Sequence, residues 1–290
     1  MIFNILYILT TSLSGIILFY AGHSIEKFMM GFFSMLYGTI IFNLFSYKTI
    51  IPTYIKIWRN YKIKFFEINL YLLLVMLGVL YFPIYYSPSL QKITTMGISA
   101  TIGAFAAVQL LQNKLSKYRL FFLCLTMLAY YLFSMHYYHG LNYILMIIVT
   151  IIAGFSQYKC VVLLEYFIEQ KFSPVEILGM RNWLLLIVTY LIVHDLHKSV
   201  SFATMCFKVQ EVSVIVSTIT FILGSYLFQK AVVASGNIKT NIINGIVPMV
   251  TFAFQFILIR HMASINELIF SIIISIVIVG FGIISLRAKA

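Results

Sequence analysis

The chain has 290 residues, 62% of them hydrophobic and only 10% charged, with a formal net charge of +12. No soluble core could hide that much apolar surface, whereas ten lipid-immersed helices of about 20 residues would use nearly all of it, which leaves no room for a soluble domain. The basic residues fall in short gaps between apolar runs rather than on one soluble face, so they read as topology signals and not as a nucleic-acid interface.

In chain order, breaks that are charged, proline-containing or histidine-rich predict spans near residues 3–21, 28–46, 66–86, 93–111, 119–136, 141–163, 176–194, 210–229, 239–259 and 267–286. The first run lacks a basic flank and a small-residue cleavage site, so it reads as a retained span and not a signal peptide. The last includes nineteen consecutive residues, 268–286, without a charge. Backbone groups in lipid must be satisfied within the segment, so runs of this length are helices. The expected fold is therefore an all-α polytopic membrane protein with ten transmembrane helices. Cys124, Cys160 and Cys206 form no CxxC or Cys/His pattern and read as packing residues, with neither a disulfide framework nor a metal site implied.

Fourteen Lys and Arg residues lie in the even-numbered gaps and tail, against five in the odd-numbered gaps. By the positive-inside rule both termini are expected in the cytoplasm. The strongest determinant is Lys48, Lys56, Arg59, Lys62 and Lys64, read as a solvated loop held at anionic headgroups.

Residues 93–119 and 241–267 resemble each other at an offset of 148, each a moderately apolar helix followed by a polar pair and a serine, Ser116 or Ser264. The match divides ten spans into five (1–138) plus five (139–290). A five-span unit ends on the opposite side from where it began, so a second copy enters upside down. Two inverted five-helix repeats follow, an architecture of secondary transporters with the substrate site near the midplane.

Gly140 opening the sixth span, FSQYKC at 155–160, SPVEILGMR at 173–181, the connection 226–250 with Pro248, and VIVGFGI at 277–283 carry a resemblance to the drug/metabolite transporter superfamily, specifically its ten-helix EamA-type carriers. The resemblance implies inverted repeats and metabolite transport. Where that family often has a Glu at the ends of the fourth and ninth spans, this chain has Gln112-Asn113 and Arg260-His261, so no role of that carboxylate carries over.

Polar residues inside apolar spans are costly and by default face a bundle interior or a wetted cavity. Lys159, preceded by eighteen residues without an ionisable acid or base, either binds an anionic substrate group or snorkels to the cytoplasmic headgroups. Gln157 and Tyr158 flank it as possible hydrogen-bonding partners of a substrate. Asn241 and Asn244 share one face of the ninth helix and either bridge helices or line a cavity. Thr218, Tyr226 and Gln229 are candidate cavity walls on the eighth helix, with Tyr81 the first-half equivalent of Gln229. Ser14 and Ser99 line the cavity or serve close helix packing. Glu211 is a candidate coupling carboxylate, or a local partner of Lys208. Glu165 and Arg181 are expected to form a structural pair. His194, Asp195 and His197 read as a solvated helix terminus rather than metal ligands.

Protease, hydrolase, P-loop and dinucleotide-binding signatures are missing from the sequence, so neither an enzyme nor a cofactor is expected. The expectation is an inner-membrane secondary carrier moving a small polar or zwitterionic, amino-acid-like metabolite. Its partners are the small-molecule substrate and the lipid bilayer, and no nucleic acid. The alternatives are uptake of S-adenosylmethionine or a nucleoside-like metabolite, and a lipid-linked flippase or accessory membrane protein.

Overall fold

A computed structural model describes residues 2–21, 27–81, 141–196, 212–259 and 264–287, together with helical residues at 121, 124, 125, 128 and 132. Its elements are α1 (Ile2–Ala21), α2 (Lys27–Phe45), α3 (Ile50–Lys56), a π-helical turn (Ile57–Tyr61), α4 (Lys62–Tyr81), α5 (Leu141–Glu169), α6 (Pro174–Met180), α7 (Trp183–Leu196), α8 (Val212–Ser235), α9 (Asn237–Asn244), α10 (Val247–Leu258) and α11 (Ile265–Arg287). No strand occurs among the described residues. The expected spans at 93–111 and 119–136, with Ser99, lie outside the described residues apart from those isolated helical positions. Glu211 and His197 lie outside them as well.

Ile148–Glu169, Pro174–Asp195 and Val214–Ser235 are each long and apolar enough to cross a membrane, and Met29–Phe45 with Ile50–Met76 qualifies as a pair bent by 103°. Ile2–Ile17, Val247–Leu258 and Ile265–Gly280 are shorter apolar helices. Outward faces are apolar: on α8, Ile215, Ile219 and Leu223 recur every fourth residue at about half exposure, while Val214, Ser217 and Thr218 turn inward. A continuous apolar exterior with polar groups inside is the pattern of an α-helical protein immersed in lipid.

Local chemistry sets the element boundaries. Ser173 caps α6 with a full capping box: its hydroxyl accepts from the Glu176 amide while the Glu176 carboxylate accepts from the Ser173 amide, with Pro174 leading the helix. The eighth helix continues six residues past its expected end at 229, because a lysine at 230 can keep its stem along the helix. It stops only at Gly236, whose φ of +75° favours glycine. The expected ninth span is interrupted at Gly245-Ile246. Pro248 has no amide hydrogen to return to the Asn244 carbonyl, so α9 and α10 are separate segments. The basic stretch 47–65, expected as a loop, is mainly helical through α3 and the π turn.

Contacts fix the directions of the helices. The pairs Asn4 with Ser235 and Tyr7 with Phe228 run α1 antiparallel to α8. Ser34 meets Ser217, and the ring of Phe221 lies against Gly38, so α2 runs parallel to α8. Thr39 meets Asn182 and Asn43 meets Gly179, so α2 is antiparallel to α6 and α7. Tyr61 and Lys56 bond to Gln170, and Thr53 to Glu176, so the start of α4, the end of α5 and the start of α6 share one end of the bundle. That end collects Lys48, Lys56, Arg59, Lys62, Lys64, Lys171 and Lys230. Two apolar clusters sit between the helices. One joins Met29–Met35 of α2 to α4, α7 and α8; the other joins α5 to Phe172, Ile177, Ile57 and Ile68.

Candidate functional site

Backbone interruptions inside a membrane bundle need side-chain partners. At the α6/α7 joint, Asn69 of α4 supplies both kinds: its Nδ2 donates to the Met180 carbonyl and its Oδ1 accepts from the Leu184 amide, each at 3.2 Å. Asn182 donates to Thr39 Oγ1 at 3.0 Å and to the Leu178 carbonyl. Asn43 and Tyr54 both donate to the Gly179 carbonyl. A Cβ at Gly179 would fall 2.8 Å from the Asn43 side chain, so the missing side chain is what lets the two helices meet there.

Around α1, α8, α9 and α11 the accounting is different. Gln229 has no exposed surface, and neither its Nε2 nor its Oε1 has a hydrogen-bond partner. Asn244 Oδ1, Thr240 Oγ1, Ser271 Oγ, Ser275 Oγ and Asn4 Oδ1 are likewise buried without a partner. These groups come from helices in mutual contact: α1 packs on α8, α9 and α10, and α9 packs on α8 and α11. Native interiors contain few such groups, so their concentration among these helices sets this region apart from the α6/α7 joint.

Arg181 stands at the α6/α7 joint, about 10 Å along the helix from Pro174 at the basic end. Its Nε is buried without a partner, and the side chain lies within electrostatic reach of Tyr7 on α1 and Cys160 on α5. The ion pair formed among the described residues is Lys64 to Glu67 at 2.8 Å, rather than Glu165 with Arg181. Glu165 lies within electrostatic reach of Tyr158.

The sequence candidates thus separate. Gln229 and Asn244 belong to the unmatched polar interior. Lys159 is on the outward stripe of α5 with Ile148, Ile152, Phe155 and Val162, its Nζ over the rings of Phe155 and Tyr158 at 5.5 and 5.9 Å. Tyr158 itself is buried and Gln157 is half-buried. Tyr226 is half-buried beneath the Lys230 ammonium. Thr218 and Ser14 return their hydroxyls to carbonyls of their own helices at 2.8 Å. The side chains of Tyr81 and Asn241 lie outside the described residues. His194 and Asp195 are exposed at the end of α7, and no cluster of three His, Cys, Asp or Glu occurs among the described residues.

Sequence reasoning missed Asn4, Thr240, Ser271 and Ser275, and also Asn43, Asn69 and Asn182. For the asparagines a signal was present, since each interrupts or borders a long apolar run. No protein-family model matches the chain, and no curated protein matches it.

Proposed function

We propose that the protein is a ten-helix secondary carrier of the EamA type. It has two inverted five-helix repeats, residues 1–138 and 139–290, lies in the inner membrane with both termini cytoplasmic, and moves a small polar or zwitterionic metabolite without changing it covalently. The observation that carries this reading is the set of buried, unmatched amides and hydroxyls centred on Gln229, Thr240 and Asn244, where α1 of the first half meets α8, α9 and α10 of the second and α9 meets α11. Helix direction adds support. At the offset of 148, α1 corresponds to α5, α2 to α6 and α7, and α4 to α8, and the contacts above run each pair in opposite senses. The interruptions at 181–182 and 245–246 support it further, because broken helices commonly form transporter sites. The concentration of lysines and arginines at one end agrees with that end facing the cytoplasm.

Uptake of labelled neutral amino acids into proteoliposomes tests the proposal. Saturable counterflow that Gln229→Met abolishes supports it. Transport insensitive to that change, or no uptake across the neutral amino-acid set, overturns the amino-acid reading. Competition by S-adenosylmethionine or a free purine would redirect the substrate toward nucleoside-like metabolites, with Tyr and Phe side chains stacking on the base.

A further inference from the structure

We infer that Arg181 is an oxyanion-binding residue, taking the carboxylate or phosphate group of the transported molecule; this rests on the carrier reading above. The side chain keeps accessible surface while its Nε is buried without a partner, within electrostatic reach of Tyr7 on α1 and Cys160 on α5. Three of the described carboxylates are committed elsewhere. Glu67 holds Lys64, Glu176 is tied to Ser173 and Thr53, and Glu267 accepts from Gln255 Nε2 at 2.9 Å. A cation within a membrane bundle is expensive and is retained with a counter-charge. Among the described residues no carboxylate forms an ion pair with Arg181, which leaves its guanidinium open to an anionic ligand. A guanidinium fork suits this task because it meets planar carboxylates and phosphates with paired N–H donors.

The joint that carries Arg181 is built for position. Asn69, Asn43 and Asn182 fix the backbone on both sides of the residue.

The test uses the full-length protein in detergent, with acetate and inorganic phosphate as probes and chloride at equal ionic strength as the reference. A thermal shift produced by one oxyanion and not by chloride is expected. In Arg181→Gln the apparent Kd of that probe should weaken about tenfold or more, with Arg181→Lys in between. Acetate as the active probe assigns a carboxylate and phosphate assigns a phosphoryl group. Should Arg181→Gln fail to fold, phenylglyoxal modification of the wild-type protein gives the same answer. The Arg181 peptide, read by mass spectrometry, should be protected by the active probe. Absence of any oxyanion-specific shift, or an unprotected Arg181, overturns the assignment. Transport that survives Arg181→Gln unchanged sinks this inference and leaves the carrier reading standing. Oxyanion binding without transport does the reverse.

Discussion

Gln229→Met should stabilise the protein while disabling it. The residue has no exposed surface and both amide atoms lack partners, so the folded state carries the full desolvation cost of a primary amide. An unmade hydrogen bond on a buried polar group costs about 1–3 kcal/mol. In a membrane protein the unfolded reference also sits in lipid and finds partners, which reduces such differences to about 1 kcal/mol. Methionine nearly preserves the volume, so little strain or cavity offsets the gain. The expected result is a stability increase of about 1 kcal/mol with uptake reduced tenfold or more, read by SDS titration in mixed micelles and by proteoliposome counterflow. Asn69→Leu provides the opposite sign from the same chemistry. It leaves the Met180 carbonyl and the Leu184 amide without partners, and because both bonds are long at 3.2 Å the loss should be about 2–3 kcal/mol. A Gln229→Met protein destabilised by about 1 kcal/mol or more would refute the reasoning, since it would mean the amide has partners in the folded state.

Gly38→Ala should cost about 1–3 kcal/mol, because a Cβ would lie 2.7 Å from the Phe221 ring, and Phe221→Leu should recover part of that loss in the same unfolding assay. Ser173→Ala should lower stability by about 1 kcal/mol through the loss of the α6 cap, with substrate affinity little changed. Lys159→Leu should leave uptake within about twofold of wild type, since its ammonium lies on the outward stripe of α5; a larger drop would return Lys159 to the pocket.

Much of the helical framework was legible because apolar run length is a one-dimensional signal. Gln229 and Asn244 were legible for the same reason: a primary amide inside such a run has few innocent explanations. Arg181 shows where proximity in sequence stops being informative. Glu165 and Arg181 flank one short connection and invite a pair, yet Arg181 lies within electrostatic reach of Tyr7 and Cys160, and Glu165 within that of Tyr158. The asparagines that hold the α6/α7 joint were read past because each partner is remote: Asn69 is 111 residues from Met180, and Asn182 is 143 from Thr39. The end of α8 lies beyond the charge at Lys230, whose ammonium sits 5.5 Å over the Tyr226 ring inside the helix instead of marking its boundary.

The distribution of satisfied and unsatisfied groups also divides the bundle mechanically. Helices α2, α6 and α7 with the upper part of α8 are joined by matched polar contacts and close glycine packing, so this wall has little reason to rearrange. Segments α9 and α10 meet α1 with fewer bonds, a 3.5 Å contact from Ser12 Oγ to the Val247 carbonyl among them, and α9 carries two of the unmatched groups, Thr240 Oγ1 and Asn244 Oδ1. Under the carrier reading proposed above, movement should therefore be concentrated at the α1 contact with α9 and α10. In a background with Cys124, Cys160 and Cys206 replaced by serine, Ser34→Cys with Ser217→Cys should cross-link readily, since the hydroxyls are 2.7 Å apart, and leave uptake largely intact. Ser12→Cys with Val247→Cys, once cross-linked, should stop uptake, and reduction should restore it. Full uptake with the second pair locked would show that α1 and α10 move together and that the working interface lies elsewhere.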